Sequence, residues 1–354
     1  MLSDRNAKVI AQIAPAVRVG VGEAFGLPKG ENVMGKLVSV LHRLGFAEVY
    51  DTAYGADLTV MEESREFLER LSTGKNLPLF TSCCPAWVKY CESRHPELKD
   101  NLSTCRSPQQ MFGAVIREYY KDPERSEGKR LVSVAIMPCT AKKGEILRPE
   151  STTYGKQDVD YVLTTTELIT LIRKVGLDFA NIEIEAADVP FGIGSGSGVL
   201  FGVTEAILRR LQKGHARADM MAIRNCGVRG EDGIKELSFT YQKRELKAAV
   251  VSGLSNAEKL IQRIEADEVH YDFVEVMACR RGCIMGGGQP VTQDNSIRSA
   301  RIQGIYNTDI NTQIKKSSEN PLVMTAYESV IRGKEHLLLH RNFDAAKKAD
   351  AQHR

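Results

Sequence analysis

The sequence predicts an α/β fold with two lobes, in which mostly parallel sheets are flanked by helices. Three observations predict this fold: short apolar runs alternate with amphipathic stretches, Leu131–Met137 is a continuous run of this kind, and three cysteine motifs follow such runs. Continuous apolar strands are typical of parallel sheets that are covered on both faces. Because ligands in open α/β sheets collect at the carboxyl ends of the strands, we expect the three motifs to converge on one pocket.

The apolar pattern places the individual elements in chain order. Strands are predicted over residues 17–22, 48–51, 77–81, 131–137 and 273–277. Helices, in which apolar residues recur three and four positions apart, are predicted over residues 35–46 and 58–71. Two glycine-rich segments, 192–198 and 286–288, are predicted loops. The residues after 320 are predicted to form a helical tail with a polar end at 344–354, and the polar segment 121–130 is the predicted boundary between the lobes.

The charge balance does not favour nucleic acid or an anionic membrane as a partner. The chain has 354 residues, with 48 Lys and Arg against 45 Asp and Glu, and a formal net charge of +3. Such a balance gives no reason to expect nucleic acid or an anionic membrane as a partner. The sequence contains neither an apolar run of membrane-spanning length nor the pattern of a secretory signal. A cytoplasmic protein is therefore expected.

Eight cysteines are too few for a disulfide scaffold in a chain of this length, so metal binding or catalysis is the more natural use. The first motif, Thr81–Trp87, contains the neighbours Cys83 and Cys84. Successive side chains of extended backbone point to opposite sides, so one sulfur can ligate a cluster while the other faces a substrate cavity. A pair of buried apolar thiols is the alternative interpretation.

The other two motifs supply three more thiols. In Met137–Lys143, Pro138 ends the strand and leaves Cys139 at its tip. Lys142, three residues later, could place a positive charge near whatever Cys139 binds, and the alternative is an ordinary surface lysine. In Glu275–Pro290, Cys279 and Cys283 are four positions apart and share one face of a helical turn, and three glycines follow. The four thiolates of a complete cubane ligand set are then Cys84, Cys139, Cys279 and Cys283. Zinc is the competing metal, although this spacing matches no usual zinc finger.

The motifs TSCCPAW, MPCTAKK and EVMACRRGCIMGGGQP resemble, in order and spacing, the three signature motifs of [FeFe]-hydrogenases. The likeness extends from QIAPAVRVGVGEAFG to the NPLV and LLLH segments near the end. It implies that residues 1–354 form one H-cluster domain, with lobes over about 1–125 and 126–317, a helical tail over 318–354 and no N-terminal ferredoxin-like domain. The implied cofactor, held between the lobes, is a [4Fe–4S] cubane joined to a di-iron unit that carries CO, cyanide and a bridging dithiolate.

The resemblance also implies roles for individual residues. Cys84, Cys139, Cys279 and Cys283 ligate the cubane, and Cys283 bridges to the di-iron unit. Cys83 passes protons, which travel through Glu63, Ser103 and Glu66, with Arg70 near the exit. Glu63 and Glu66 are three positions apart, so both can lie on one helix face, although two solvated glutamates give the same pattern. Lys142 hydrogen-bonds a cyanide ligand, and the remaining implied positions line the pocket: Pro15, Ala16, Pro108, Gln109, Met137, Phe201 and Met277.

The implied activity is that of a ferredoxin-type hydrogenase, the reversible reduction of two protons by two electrons to H2. No ferredoxin-like run of cysteines is present, so electrons are expected from ferredoxin or a cluster-bearing subunit, and maturation proteins are expected to build the di-iron unit. Two departures stand out, because Ala16 replaces a serine of many relatives and about four residues are missing after Gly202. The alternatives are a hydrogen-sensing relative, an iron–sulfur assembly factor and an inactive hydrogenase-like protein.

Overall fold

The computed structural model describes residues 2–200, 203–211 and 233–341. Its strands are β1 (Ala7–Ile13), β2 (Glu48–Asp51), β3 (Leu79–Phe80), β4 (Arg130–Met137), β5 (Thr152–Thr153), β6 (Lys156–Gln157), β7 (Tyr161–Thr164), β8 (Gly233–Tyr241), β9 (Arg244–Ser252) and β10 (Phe273–Met277). Its α-helices are α1 (Met34–Arg43), α2 (Thr52–Thr73), α3 (Pro85–Arg94), α4 (Pro108–Tyr119), α5 (Pro123–Ser126), α6 (Ala141–Glu145), α7 (Thr165–Val175), α8 (Gly196–Leu200), α9 (Val203–Leu211), α10 (Leu254–Glu265), α11 (Asn295–Asn311), α12 (Pro321–Glu328) and α13 (Glu335–Leu339). Short 3₁₀ turns cover Val17–Val19, Gly22–Phe25, Pro96–Asn101, Pro149–Ser151, Cys283–Met285 and Ser317–Glu319.

The first sheet is fully parallel, with the strand order β2-β1-β4-β7. Its central strands are buried on both faces, as their apolar sequences require. Ala11 and Ile13 of β1 belong to a core cluster that includes residues of α1 and α7. Ile10, which points to the opposite face, packs in a second cluster with residues of α2 and α4. Helices therefore cover both faces, as the sequence predicted.

The second sheet has the order β3-β10-β9-β8. Strands β3, β10 and β9 are parallel, and β8 pairs with β9 as an antiparallel hairpin. The hairpin turn contains Gln242 and Lys243, both with positive φ, as a tight turn between twisted strands requires. Each sheet takes strands from both sides of residues 121–130, so the sheets and the predicted lobes divide the chain differently.

Several predicted elements match the structure, and one strand prediction is wrong. Strands 48–51, 131–137 and 273–277 are confirmed almost to the residue, and the helix predicted over 35–46 is α1. Residues 17–22 form 3₁₀ turns rather than a strand, while the strand that feeds them, β1, lies ten residues earlier. Strand β1 was not predicted because the charge of Lys8 interrupts its apolar pattern. In the structure Lys8 is buried, and its Nζ lies 2.8 Å from Glu48 Oε1.

Two other elements have different lengths from those predicted. Helix α2 starts at Thr52, six residues before the predicted start, because the Asp51 carboxylate accepts a hydrogen bond from the Ala53 amide at 2.8 Å and caps the helix. The strand predicted over 77–81 is reduced to Leu79–Phe80, since Pro78 has no amide hydrogen to donate. Helices α12 and α13 confirm the helical tail, whereas the polar end at 344–354 lies outside the described residues.

A buried carboxylate joins three distant parts of the chain. Asp57, on α2, is fully buried. It accepts hydrogen bonds from the Ser195 amide at 2.7 Å and the Ser195 hydroxyl at 2.5 Å. It also accepts them from the Ser317 hydroxyl at 2.8 Å and the Asn320 amide group at 3.1 Å. Asp57 thereby ties α2 to Ser195, just before α8, and to the segment that leads into α12. The loop predicted over 192–198 is partly wrong, since its last three residues form the start of α8 (Gly196–Leu200).

None of the helices in the described part of the chain is long and apolar enough to cross a membrane.

Candidate metal centre

The three cysteine motifs meet at the carboxyl ends of strands from both sheets. Cys83 and Cys84 follow β3, and Cys279 follows β10, which pairs with β3 in the second sheet. Cys139 follows β4 of the first sheet. The Gly288 amide donates to the Pro138 carbonyl oxygen at 2.9 Å, so the third motif also contacts the second directly. The predicted convergence of the motifs is therefore present.

Residues 286–288, three consecutive glycines that we call the glycine cradle, allow the third motif to contact the second so closely. A Cβ atom on Gly286 would lie 2.3 Å from the Pro138 carbonyl oxygen, and one on Gly288 would lie 2.8 Å from the Cys139 amide nitrogen. Both distances are shorter than a van der Waals contact, so only glycine lets this loop lie against the backbone that presents Cys139. Gly287 faces more open space, since its nearest neighbour would be 3.5 Å away.

The four candidate ligand thiols influence one another electrostatically. Burial raises the pKa of Cys283 well above its ordinary value, and nearby charge on Cys84, Cys139 and Cys279 raises it further. Burial also raises the pKa of Cys279, with a further contribution from Cys139 and an opposing hydrogen bond from the Gly287 amide. The Ala278 amide donates to the Cys84 sulfur at 3.5 Å. Four thiols that repel one another when ionised are a typical set of ligands for a cationic metal centre.

The sulfurs are not spaced for a single zinc ion. Tetrahedral Zn–S bonds of about 2.3 Å place ligand sulfurs about 3.8 Å apart. Among the described residues, no three of the four cysteine sulfurs lie within 4.8 Å of one another.

Lys142 lies beside the cysteine pair in a buried position. Its ammonium group donates to the Glu145 carboxylate at 2.9 Å and to the Cys83 carbonyl oxygen at 3.1 Å. Burial alone would lower the pKa of Lys142, but the Glu145 carboxylate outweighs it and the pKa is raised. Gln109 Nε2 donates to the same Glu145 carboxylate at 3.2 Å. Glu145 was not predicted from the sequence, although its position three residues after Lys142 could have indicated the pair.

A buried glutamate lies behind the Cys83 thiol. Cys83 is half-buried, and burial raises its pKa well above the ordinary value, with contributions from the charges of Glu275 and Glu63. Both carboxylate oxygens of Glu63 are buried without a hydrogen-bond partner. Burial, with a smaller contribution from Glu66, raises the pKa of Glu63 to about 8, although Ser103 and the Ser82 backbone lie near enough to offset part of that rise. Glu63 therefore holds its proton at neutral pH.

Glu66 lies one turn further along α2 and is held by several donors. The Ser103 hydroxyl donates to Glu66 Oε2 at 2.8 Å, and the Thr104 amide donates to the same carboxylate at 3.1 Å. Arg70 Nη2 donates to Glu66 Oε1 at 2.6 Å. The structure thus places Ser103 and Arg70 in direct contact with Glu66, while Glu63 lies one turn earlier on α2.

The candidate pocket-lining residues in the described part of the chain lie at or next to the ends of strands and helices. Pro15 and Ala16 follow β1, Pro108 and Gln109 begin α4, and Met137 and Met277 end β4 and β10. The Ala16 carbonyl oxygen accepts a hydrogen bond from Gln289 Nε2 at 2.7 Å. Phe201 and the predicted deletion after Gly202 lie outside the described residues.

Two of the other cysteines, Cys91 and Cys105, are not part of this group, and Cys226 lies outside the described residues. Cys91 and Cys105 are fully buried in apolar clusters. The sequence analysis also missed Glu275, the first residue of the third motif, which is buried and accepts hydrogen bonds from the Thr204 amide and hydroxyl at 2.9 and 2.7 Å. Its charge lies near Cys83 and Glu63.

Comparison with protein families gives two matches along the chain. Residues 7–287 match the family described as iron only hydrogenase large subunit, C-terminal domain. Residues 295–345 match the iron hydrogenase small subunit family. The two matches together cover the first two motifs, most of the third, both sheets and the C-terminal helices.

Two of the proteins similar to this chain are hydrogenase subunits. The NADP-reducing hydrogenase subunit HndD of Solidesulfovibrio fructosivorans is 41% identical over 357 residues, which are 97% of this chain. The periplasmic [Fe] hydrogenase large subunit of Nitratidesulfovibrio vulgaris is 43% identical over 82% of this chain and 70% of its own length. The chain spans only 61% of the length of the first of these relatives.

A solved structure and a more distant relative complete the comparison. A variant of [FeFe]-hydrogenase HydA1 from Chlamydomonas reinhardtii superposes with a TM-score of 0.80, at 34% identity, over 97% of this chain and 96% of that one. The cytosolic Fe-S cluster assembly factor narfl of Danio rerio is 29% identical over 96% of this chain and 87% of its own length.

Proposed function

The chain belongs to the iron-only hydrogenase family, in the class formed by the C-terminal domain of the large subunit, and on that premise we propose that it catalyses the reversible reduction of two protons by two electrons to H2. The observation that carries the proposal is the position of Cys83. Its thiol lies near the buried Glu63 and near Cys84 and Cys283, two of the four candidate ligands. A thiol in that position can exchange protons between a metal group and a carboxylate relay.

The four candidate ligand thiols would bind the metal group. Cys84, Cys139, Cys279 and Cys283 would hold the [4Fe–4S] cubane, and Cys283 would also bridge to a di-iron unit with CO, cyanide and a bridging dithiolate. When bound, this group supplies the two-electron chemistry of hydrogen, which no protein side chain can perform. The chain's own residues position the group, exclude water and move protons.

The proton relay begins at Cys83 and runs along α2. We assign Cys83 as the residue that exchanges a proton with the cofactor, and Glu63, Ser103 and Glu66 as the groups that connect it to the outside. Glu63 is protonated at neutral pH because burial raises its pKa to about 8, so it can donate a proton inward and take one from the side of Ser103. The Ser103 hydroxyl can both accept and donate, and it already donates to Glu66 at 2.8 Å.

Lys142 orients the cofactor rather than moving protons. Its ammonium group is held between Glu145 and the Cys83 carbonyl oxygen, which fixes a positive charge beside the cysteine pair. A cyanide ligand at that place would accept a charge-assisted hydrogen bond from it. The remaining implied residues would shape the apolar wall of the pocket: Pro15, Ala16, Pro108, Gln109, Met137, Phe201 and Met277.

Electrons must reach the cubane from a partner. We propose that the donor is ferredoxin or an iron–sulfur electron-transfer subunit, that maturation proteins install the di-iron unit, and that the protein works in the cytoplasm. The match of residues 7–287 and 295–345 to the large and small subunit families supports a chain that associates with such redox proteins. Reduced ferredoxin can be titrated into the matured chain while hydrogen evolution is measured. A rate that rises with ferredoxin concentration and saturates would identify it as a donor.

The deciding experiment measures hydrogen evolution from reduced viologen by the chain after maturation. Hydrogen production together with infrared bands of CO and cyanide would support the proposal. The variant Cys84→Ala should lose iron and activity together, whereas Cys91→Ala, which removes a buried thiol outside the group, should keep both. A matured protein that binds iron but shows neither bands nor hydrogen would contradict the proposed activity.

The alternative is a hydrogen-sensing or inactive iron–sulfur protein. The 29% identity to an assembly factor over nearly the whole chain makes a scaffold role worth testing. A scaffold would bind iron without CO or cyanide bands, and a sensor would show the bands with little turnover. The presence of Cys83, Glu63 and Glu66 in one region of the structure favours the enzyme over both.

A further inference from the structure

A surface cavity of about 470 Å³ lies at the outer end of the proton relay. One wall is formed by the C-terminal half of α2 and the residues after it, and the other by α13 and His340. Glu66, the last carboxylate of the relay, lines this cavity. The charged and titratable side chains in its walls are Glu62, Arg65, Glu66, Glu69, Arg70, Lys75, Glu335, His336 and His340.

Arg70 cannot itself load protons into the relay. Its Nη1 donates to the carbonyl oxygens of Asn76, Asp100 and Asn101, and its Nη2 donates to Leu102 and to Glu66. A guanidinium that is held in this way stays charged and has no site to accept a proton. Arg70 therefore fixes the position of Glu66, and another group must exchange protons with the solvent.

His340 is built into the wall beside Glu66 through two hydrogen bonds. Its Nδ1 lies 2.9 Å from the hydroxyl of Thr104, the residue whose amide donates to Glu66. Its Nε2 lies 3.3 Å from a carboxylate oxygen of Glu62. The backbone is fixed as well, because Arg106 Nε donates to the His340 carbonyl oxygen at 2.8 Å.

Glu62 provides a stable negative charge for this histidine. Burial opposes ionisation of Glu62, but the hydrogen bonds from His340 and from the Tyr327 hydroxyl, with the charge of Arg65, outweigh it and lower its pKa. The Tyr327 hydroxyl donates at 2.5 Å and Arg65 Nη1 at 2.9 Å. An imidazolium at position 340 thus has an ion-pair partner. On the other side, the His336 ring lies 4.9 Å from the His340 ring, centroid to centroid.

The need for such a group follows from the scarcity of hydronium at neutral pH. With encounter rates of about 10⁹–10¹⁰ M⁻¹s⁻¹, hydronium at about 10⁻⁷ M reaches one acceptor only about 10²–10³ times per second. Buffer molecules carry protons at a far higher concentration than hydronium, and an imidazole ring has one nitrogen that can accept a proton and another that can donate one.

We propose that His340, supported by Glu62, is the residue that exchanges protons between solvent and Glu66, which makes it the outer terminus of the relay. The inference rests on the proposed hydrogenase function. In hydrogen evolution, the imidazole takes a proton from buffer at the mouth of the cavity. The imidazolium releases a proton to water in the cavity, which passes one to the Glu66 carboxylate. The imidazole returns to its starting state, and hydrogen oxidation runs the same steps in reverse.

The test compares His340→Gln with wild-type protein, both matured, in viologen-driven hydrogen evolution from pH 6 to pH 8.5 at low buffer concentration. We expect the ratio of variant to wild-type rates to fall by about tenfold per pH unit above neutrality, because hydronium falls by that factor. Added imidazole should restore the variant rate and leave the wild type nearly unchanged. His270→Gln removes an exposed histidine that does not line the cavity and should behave as wild type.

Iron content and infrared bands of each variant show whether the cofactor site has been disturbed. If His340→Gln fails to fold, Thr104→Val is the second variant, since it removes the hydroxyl that holds Nδ1 and leaves the amide donor to Glu66 in place. A constant variant-to-wild-type ratio across pH, or a loss that imidazole does not restore, would overturn the assignment of His340. An inactive wild type would instead overturn the proposed function, and this inference with it.

Discussion

Lys142 donates a hydrogen bond to the carbonyl oxygen of Cys83 at 3.1 Å, across 59 positions of sequence. The contact links α6, which follows β4 of the first sheet, to the cysteine pair that follows β3 of the second. It places a buried positive charge beside the cysteine pair that the proposed mechanism uses for both ligation and proton transfer. Glu145 compensates this charge at 2.9 Å.

The first prediction concerns this buried ion pair. Lys142→Met leaves the Glu145 carboxylate buried without its cation, and breaking a buried pair costs about 3–5 kcal/mol. Lys142→Met combined with Glu145→Met should recover most of that loss, because no unpaired charge remains. Denaturant unfolding of the cofactor-free protein in a double-mutant cycle measures the coupling. Additive effects of the two substitutions would show that the pair does not act as a unit.

The second prediction separates proton transfer from ligation. Cys83→Ala should keep the iron content of the matured protein and reduce hydrogen evolution by about 10²–10⁴-fold, the usual contribution of a positioned acid–base group. The control is Cys91→Ala, which removes a buried thiol of the α3 core and should retain activity. Loss of iron in Cys83→Ala would instead identify Cys83 as a ligand.

The third prediction follows from the pKa of Glu63, which is raised from 4.5 to about 8. Between these values the folded protein holds a proton that the unfolded chain has released, so the free energy of unfolding falls as the pH rises from about 4.5 to about 8 and levels off above it. Between pH 6 and pH 8, the cofactor-free wild type should lose about 2 kcal/mol more than Glu63→Gln. Urea titrations at both pH values measure the difference.

Glu69→Gln is the matched control, since Glu69 is an exposed glutamate on the same helix. It should follow the wild-type pH dependence. Parallel stability profiles for wild type and Glu63→Gln would show that Glu63 ionises normally.

The fourth prediction tests the glycine cradle. In Gly288→Ala, the new Cβ atom would lie 2.8 Å from the Cys139 amide nitrogen, so the Cys139 backbone must move. We expect a loss of about 1–3 kcal/mol in stability, typical of overpacking, and reduced iron content after maturation. Gly287→Ala, where the nearest atom is 3.5 Å away, should differ little from wild type. Equal iron content in the two variants would argue against the cradle.

The sequence was most informative where apolar runs end in a cysteine motif. The strands before Cys139 and Cys279 were located almost to the residue, because strand burial on both faces leaves a continuous apolar run that Pro138 or the cysteine turn then ends. Strand β1 was missed since Lys8 and Gln12 interrupt its apolar pattern, although both are buried and paired. The hairpin β8–β9 was missed because its charged residues alternate with apolar ones on a half-exposed sheet edge.

The site was only partly accessible from the sequence for a different reason. Glu63 and Glu66 share a helix, so their spacing could suggest a relay. Ser103 reaches Glu66 from 37 positions away, and His340 reaches Thr104 from 236 positions away. No local pattern encodes such contacts, which depend on the packing of α2 against α13 and on the bridge between Cys105 and His340. Family resemblance supplied Ser103, whereas Glu145 and His340 emerged only from the fold.

The four hydrogen bonds around Asp57 have a consequence for the order of assembly during synthesis. A buried carboxylate that lacks its donors is strongly unfavourable, and two of the donors, on Ser317 and Asn320, come from residues made about 260 positions later. The nascent chain can build both sheets and present all four candidate ligand cysteines while Asp57 still needs water as a partner. Helix α2, which carries Glu63 and Glu66, can therefore take its final packing only after residues 317–320 have been translated.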